Sequence, residues 1–241
     1  MHIPRRRALW GGAAVTGLFL AAAPAWSQAE PAGPPLTPLA VKARLLLDEV
    51  AQPHVRNHSL RSYFFARAVA EEQRLACDDE IVFLICALHD IGMTDVANGD
   101  QRFEIDGADF AARFLEDNGV TDARVDLIWD AIAAHTSGFI HSPVYQRRRP
   151  PEIQAAVTGI GIDLGGGPSD LPPGYADRIH AAYPRLGGSA ALFRTIEQQG
   201  LANPRKAGPA TFAGEVVRQR HPDVPYETVE DIIAASGWAD N

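Results

Sequence analysis

The chain is predicted to fold as an all-α protein, a single helical domain with a C-terminal helical extension. Three observations lead there. Apolar residues recur at helical intervals, helix start and stop residues bracket those segments, and no stretch alternates as a strand with hairpin turns. With 241 residues, 46% of them hydrophobic and 22% charged, the chain can bury one substantial core. It carries no internal repeat.

Taken in order, residues 1–29 read as a signal peptide. Arg5-Arg6-Arg7 precedes a small-residue apolar stretch from Ala8 to Ala23, and Ala23-Pro24-Ala25 offers a small-x-small cleavage pattern. The paired arginines are compatible with twin-arginine export. The stretch is too short and too rich in alanine and glycine to be preferred as a span, so no stable membrane insertion is expected after cleavage. A periplasmic or secreted mature protein follows. Residues 30–37 are a Pro-rich flexible leader, 38–165 the helical core and 166–241 the extension.

Thr37-Pro38 opens the first core helix, with Val41, Leu45 and Leu46 expected on its buried side. Asn57 to Leu75 and Asp79 to His89 follow; the latter holds the unbroken apolar run Ile81 to Leu88. Asp106 is expected to open a helix closed by Asn118-Gly119, and Thr121-Asp122 to cap one striped by Val125, Ile128 and Ile132. Further helices are expected near 152–160, 175–183, 189–199, 211–220 and 226–236, and Arg147-Arg148-Arg149 reads as an exposed loop.

The formal net charge of −8 becomes more negative when Arg5, Arg6 and Arg7 leave, because no acid precedes Glu30. Such a surface repels polyanions, which excludes nucleic acid as a partner and leaves a small molecule. Cys77 and Cys86 are the only cysteines; Cys86 lies inside the apolar run and reads as a buried free thiol, and neither reads as a nucleophile.

Four residues carry the chemistry. His58, the adjacent His89-Asp90 and Asp163 each sit in or beside a buried helical segment, and imidazole nitrogen with carboxylate oxygen can hold a divalent metal. The polar pair at the end of the Ile81–Leu88 run must be satisfied by something. Each has a plain structural role beside the functional one: a helix cap for His58 and Asp90, ordering of the Gly165-Gly166-Gly167 turn for Asp163. His135 extends the Val125, Ile128, Ile132 stripe into the core, where it is a hydrogen-bonded core histidine or a catalytic acid/base. Arg61 lies one turn after His58; its structural role is an ion pair with Glu104 or Asp106.

The segments Asn57-His58-Ser59-Leu60-Arg61 and Ala87-Leu88-His89-Asp90-Ile91-Gly92 resemble the HD superfamily of metal-dependent hydrolases, with the nearest likeness to its cyanamide hydratase-like group. The resemblance spans roughly residues 40 to 165 and implies that His58, His89, Asp90 and Asp163 bind one divalent metal, Zn2+ first, with Fe2+ or Mn2+ as alternatives. The segment Phe103-Glu104-Ile105-Asp106-Gly107 matches the group's Phe-Glu-x-x-Gly and implies supporting or substrate-binding roles for Arg61, Glu104 and Asp106. The implied activity is addition of metal-activated water to a small nitrile-like substrate with His135 assisting proton transfer. The alternatives are a phosphohydrolase using Arg61 and Arg102 as clamps, and a binding module with a structural metal. An export signal, Asp106 in place of a less polar residue, and the segment beyond Gly165 depart from the group's pattern.

Overall fold

A computed structural model describes residues 33–238, and among them the chain forms eleven α-helices and no strand. They are α1 (Pro38–Val50), α2 (Pro53–Glu72), α3 (Asp79–Leu88), α4 (Phe103–Asp117), α5 (Arg124–Ala134) and α6 (Pro143–Arg148). Then follow α7 (Pro151–Leu164), α8 (Tyr175–Ala182), α9 (Gly188–Ala202), α10 (Phe212–Arg220) and α11 (Val229–Ala235). The expected signal peptide and most of the expected leader lie outside the described residues. No described helix is long and apolar enough to cross a membrane.

Helix α2 is the axis of the fold. Residues 57–66 are buried without a break, because α3, α7, α8 and α9 all touch this helix. Its tightest neighbour is α7, and Gly159 is the reason. A Cβ at that position would lie 2.4 Å from both the Ala66 amide nitrogen and the Ser62 carbonyl oxygen, so only glycine lets the two backbones meet. One helical turn further along α7 stands Asp163, and one turn back along α2 stands His58. The contact at Gly159 therefore sets the distance between those two side chains.

Helix α3 starts where expected, with the Asp78 carboxylate accepting from the Glu80 and Ile81 amides, and ends with His89 as its C-cap. The chain then turns through Asp90 into a short 3-10 turn, Ile91–Met93. Gly92 is pressed against α4: a Cβ there would sit 2.0 Å from the Phe103 carbonyl oxygen and 2.8 Å from the Gly107 amide. That close approach holds Asp90 against the core.

Three sequence expectations are corrected. In α1 the buried face is Ala40, Ala43 and Leu47, whereas Val41 and Leu45 are 39% and 62% exposed; small residues let α1 settle closely on α3, and the larger ones lie off that line. Helix α4 begins at Phe103 rather than at Asp106, whose carboxylate accepts from the Gly99 and Gln101 amides in the preceding loop. The basic segment before Pro150 is partly helical, since Ser142 caps α6.

The extension is joined to the core through a second apolar cluster in which Val55, Met93 and Phe103 meet Leu192, Ile196 and Val217. Each such side chain contributes about 1.5–3 kcal/mol when fully buried. A buried ion pair reinforces the junction: the Lys206 ammonium is bonded to the Asp106 carboxylate and donates to the Gly99 carbonyl at 3.0 Å. Gln199 donates to the Gly92 carbonyl at 3.0 Å, tying α9 to the turn that follows Asp90. Cys77 and Cys86 are both free thiols. Burial, with Glu152 and Asp79 nearby, pushes Cys77 up to about 11, and burial pushes Cys86 higher still, so both are held as inert thiols.

Candidate metal centre

Three imidazoles and one carboxylate converge where α2, α3 and α5 end or begin. The His58 and His89 Nε2 atoms are 3.1 Å apart. Asp90 Oδ2 lies 3.3 Å from His89 Nε2 and 3.6 Å from His58 Nε2, and Asp90 Oδ1 lies 3.7 Å from His135 Nε2. His58, His89 and Asp90 are buried and present ligating atoms within 4.8 Å of one another.

The orientation of each ring is fixed from behind. His89 Nδ1 is 2.8 Å from the Cys86 carbonyl oxygen and His135 Nδ1 is 2.7 Å from that of Ile132. A carbonyl oxygen can only accept, so both Nδ1 atoms carry the proton. His58 Nδ1 is 2.6 Å from Asp163 Oδ2 and donates to it. In neutral form His58 and His89 thus direct an Nε2 lone pair into the same small volume, beside a carboxylate that also only accepts, and His135 turns its Nε2 to the other oxygen of that carboxylate. Acceptors crowded in this way repel one another unless a proton or a cation stands between them.

The directions of titration follow. Burial opposes charge on His89, but the adjacent Asp90 outweighs it and raises the imidazole above its ordinary value. Burial and then the charge of His89 lower His135 to about 4, so it stays a neutral donor of electrons. Burial works against the Asp90 carboxylate as well, and the surrounding imidazoles nevertheless hold it far below the usual carboxylate range. A divalent ion suits this donor set. Two imidazoles on one zinc at about 2.0–2.1 Å each stand roughly 3 Å apart, the separation seen between His58 and His89.

Asp163 is brought to the site but not into the cluster. Its carboxylate meets the Nδ1 side of His58, opposite the face that Asp90 occupies, and its two oxygens are taken by Arg61, with Nε and Nη2 each at 2.7 Å. Arg185 adds contacts at 3.3 Å to Oδ1 and 2.9 Å to the Asp163 carbonyl. Burial alone would raise its titration, and the bonds from His58 and Arg61 hold it far below the ordinary range. Of the four residues expected as ligands, the structure brings His58, His89 and Asp90 together, with His135 Nε2 beside Asp90 and Asp163 on the Nδ1 side of His58. Arg61 pairs with Asp163 rather than with Glu104 or Asp106, and its remaining donors reach the Tyr183 and Pro184 carbonyls.

Glu104 and Asp106 separate. Glu104 is fully buried and accepts from the Thr136 hydroxyl at 2.6 Å, next to His135. Asp106 turns to Lys206 and the 99–101 loop and does not line the cavity beside the cluster.

The cluster forms one end of a cavity of about 200 Å³. The remaining wall is largely apolar: Met93 and Phe103 beside the cluster, Val157, Ile160 and Leu164 from α7, and Leu192, Ile196 and Phe212 from the extension. Thr136 and His141 add polar atoms, and no lysine or arginine among the described residues lines it. The contribution of α9 and α10 was missed in the sequence. Its trace is the four-residue spacing of Leu192 and Ile196, which marks one helix face without saying what it covers.

Residues 55–159 match the HD domain family. Over that stretch, just under half of the chain, the protein is similar to an HD domain. The match spans α2 to the greater part of α7, so it holds His58, His89, Asp90 and His135, while Asp163 and the apolar wall of the extension lie beyond it. HD domains belong to a superfamily of metal-dependent hydrolases, and the His58, His89, Asp90 cluster is compatible with the divalent ion these domains bind. The match identifies the HD domain as such and does not reach the cyanamide hydratase-like group. No curated protein matches the chain.

Proposed function

We propose that this protein is a metal-dependent enzyme that adds water to a small, uncharged substrate, with His58, His89, Asp90 and His135 as the metal ligands. The observation that carries this reading is the meeting of the His58 and His89 Nε2 atoms with the Asp90 carboxylate, with His135 Nε2 beside that carboxylate, in the wall of a cavity otherwise largely apolar. A bound divalent ion, zinc being best suited to imidazole and carboxylate donors, supplies Lewis acidity and lowers the pKa of water toward neutrality.

The chain's own groups do the rest. Asp163 and the carbonyls of Cys86 and Ile132 hold three rings in the tautomer that points Nε2 inward, and Arg61 keeps Asp163 ionised for that task. The apolar walls keep bulk water away from the polar end. Thr136 spends its proton on Glu104, so its oxygen faces the cavity as an acceptor for an N–H or O–H of the substrate.

A phosphoester is the less suitable substrate. Its negative charge needs cationic clamps, Arg61 is committed to Asp163, and Arg102 does not line the cavity. A nitrile-like or amide-like carbon asks for no such clamp. The mature protein is proposed to act outside the cytoplasm, on the strength of the Arg5–Ala25 leader.

The test is to measure the metal content of the purified protein, then assay hydration of cyanamide and benzonitrile alongside hydrolysis of p-nitrophenyl phosphate. One divalent ion per chain and turnover of a neutral compound are expected. Turnover of the phosphoester alone would reject the proposal.

A further inference from the structure

The apolar part of the cavity has no work to do for a substrate as small as cyanamide. An engineered apolar cavity of about 150 Å³ holds a benzene molecule. The cavity here is about 200 Å³, enough for a ring or a comparable aliphatic group together with a reacting head at the cluster. Its far wall is built by Leu192, Ile196 and Phe212, which lie outside the matched HD domain. They are also held in place deliberately: Leu192 and Ile196 belong to the cluster that seats the extension on Val55, Met93 and Phe103, and Lys206 locks the same junction.

Gly161 adds a second, independent observation. It lines the cavity yet is exposed, which sets it at the opening. A Cβ there would meet no atom within 4 Å, unlike Gly159 two residues earlier, which has no room for one. Backbone packing does not require the absence of a side chain at 161, and a side chain there would enter open space at an exposed position of the cavity lining.

From this we infer that the extension and Gly161 define the substrate class: a neutral molecule whose reacting group sits at the histidine cluster and whose uncharged apolar arm, of about phenyl size, lies against Leu192, Ile196 and Phe212. The inference rests on the proposed metal site for the position of the head, while the arm site stands on the cavity alone. Each methylene or ring carbon moved from water to such a wall strengthens binding severalfold.

Two probes separate the two parts. With zinc-loaded full-length mature protein, isothermal titration calorimetry should show benzohydroxamate binding at least about tenfold more tightly than acetohydroxamate. Both are uncharged when free near neutral pH and release the same hydroxamic O–H proton on chelation, so they differ only in the arm. Fluorobenzene, which has no head group, should show 19F line broadening with the protein whether or not metal is present. Gly161→Leu should fold with unchanged metal content, keep acetohydroxamate binding within about twofold, and remove most of the benzohydroxamate advantage and the fluorobenzene broadening. Leu192→Ala should weaken the same two probes. Equal affinity for the two hydroxamates, or no fluorobenzene broadening with the unmodified protein, would overturn the inference. Fluorobenzene binding without metal or hydroxamate binding would instead remove the metal site and leave the arm site standing.

Discussion

The two ends of the cavity are built on opposite principles. At the polar end, each imidazole is held by a hydrogen bond from behind: Cys86 for His89, Ile132 for His135, and Asp163, itself clamped by Arg61, for His58. At the apolar end, Leu192, Ile196 and Phe212 meet the cavity through apolar surface alone, although Gln199 and Lys206 bond the surrounding extension to the core. A site that must hold an ion needs atoms fixed to a fraction of an ångström. A site that accommodates an apolar arm needs only surface and volume. The difference teaches that the HD-like stretch holds the polar cluster by directional bonds, while the extension adds apolar surface to the same cavity.

Substitutions at the two ends should therefore fail differently. The largest effect is expected at the polar end, where His89→Ala or Asp90→Ala should cut the bound metal to less than about one-tenth per chain in elemental analysis, because metal binding depends on the complete ligand set. Near-stoichiometric metal in either variant would break the comparison. Next comes Asp163→Ala, which strands the 1%-exposed Arg61 without its carboxylate. Removing one partner of a buried pair costs about 3–5 kcal/mol, read as a lowered Tm, and loss of the support behind His58 should weaken metal affinity by about 10–100-fold. An unshifted Tm would mean that Arg61 finds other partners.

At the junction, Lys206→Met should cost about 3 kcal/mol and speed hydrogen exchange in α9 and α10 while leaving metal content intact. Loss of metal along with the extension would show that the two ends are not separable. Ile196→Ala, at the apolar end, should cost about 2 kcal/mol, the low end for such a truncation because the side chain already borders a cavity. The smallest expected effect has the opposite sign. Gly161→Ala should raise stability by about 0.5–1 kcal/mol, since it removes a helix glycine at a position with free space.

Much of the polar end was legible in the sequence. An eight-residue apolar run that ends in His89-Asp90 has to give those groups partners, and the neighbours of His58 matched the same family pattern. Which face of His58 the distant Asp163 would meet was not legible, because that depends on the α2–α7 contact at Gly159, a tertiary approach that no local spacing encodes. His135 was placed in the core by its stripe, but its partnership with Asp90 arises only when α5 packs beside α3. The α1 stripe misled for a related reason: hydrophobicity marked Val41 and Leu45, while the close approach to α3 selected Ala40 and Ala43. Asp106 looked like a helix cap or a site residue, and its actual partner, Lys206, lies 100 residues away.

The central claim is that His58, His89, His135 and Asp90 together hold one divalent ion. X-ray absorption at the metal edge of the purified protein tests it most directly. The account predicts one ion bound through three imidazole nitrogens and a carboxylate oxygen, with one imidazole lost in His135→Gln. A spectrum with two imidazoles that His135→Gln leaves unchanged, or no metal edge in protein equilibrated with zinc, would contradict it.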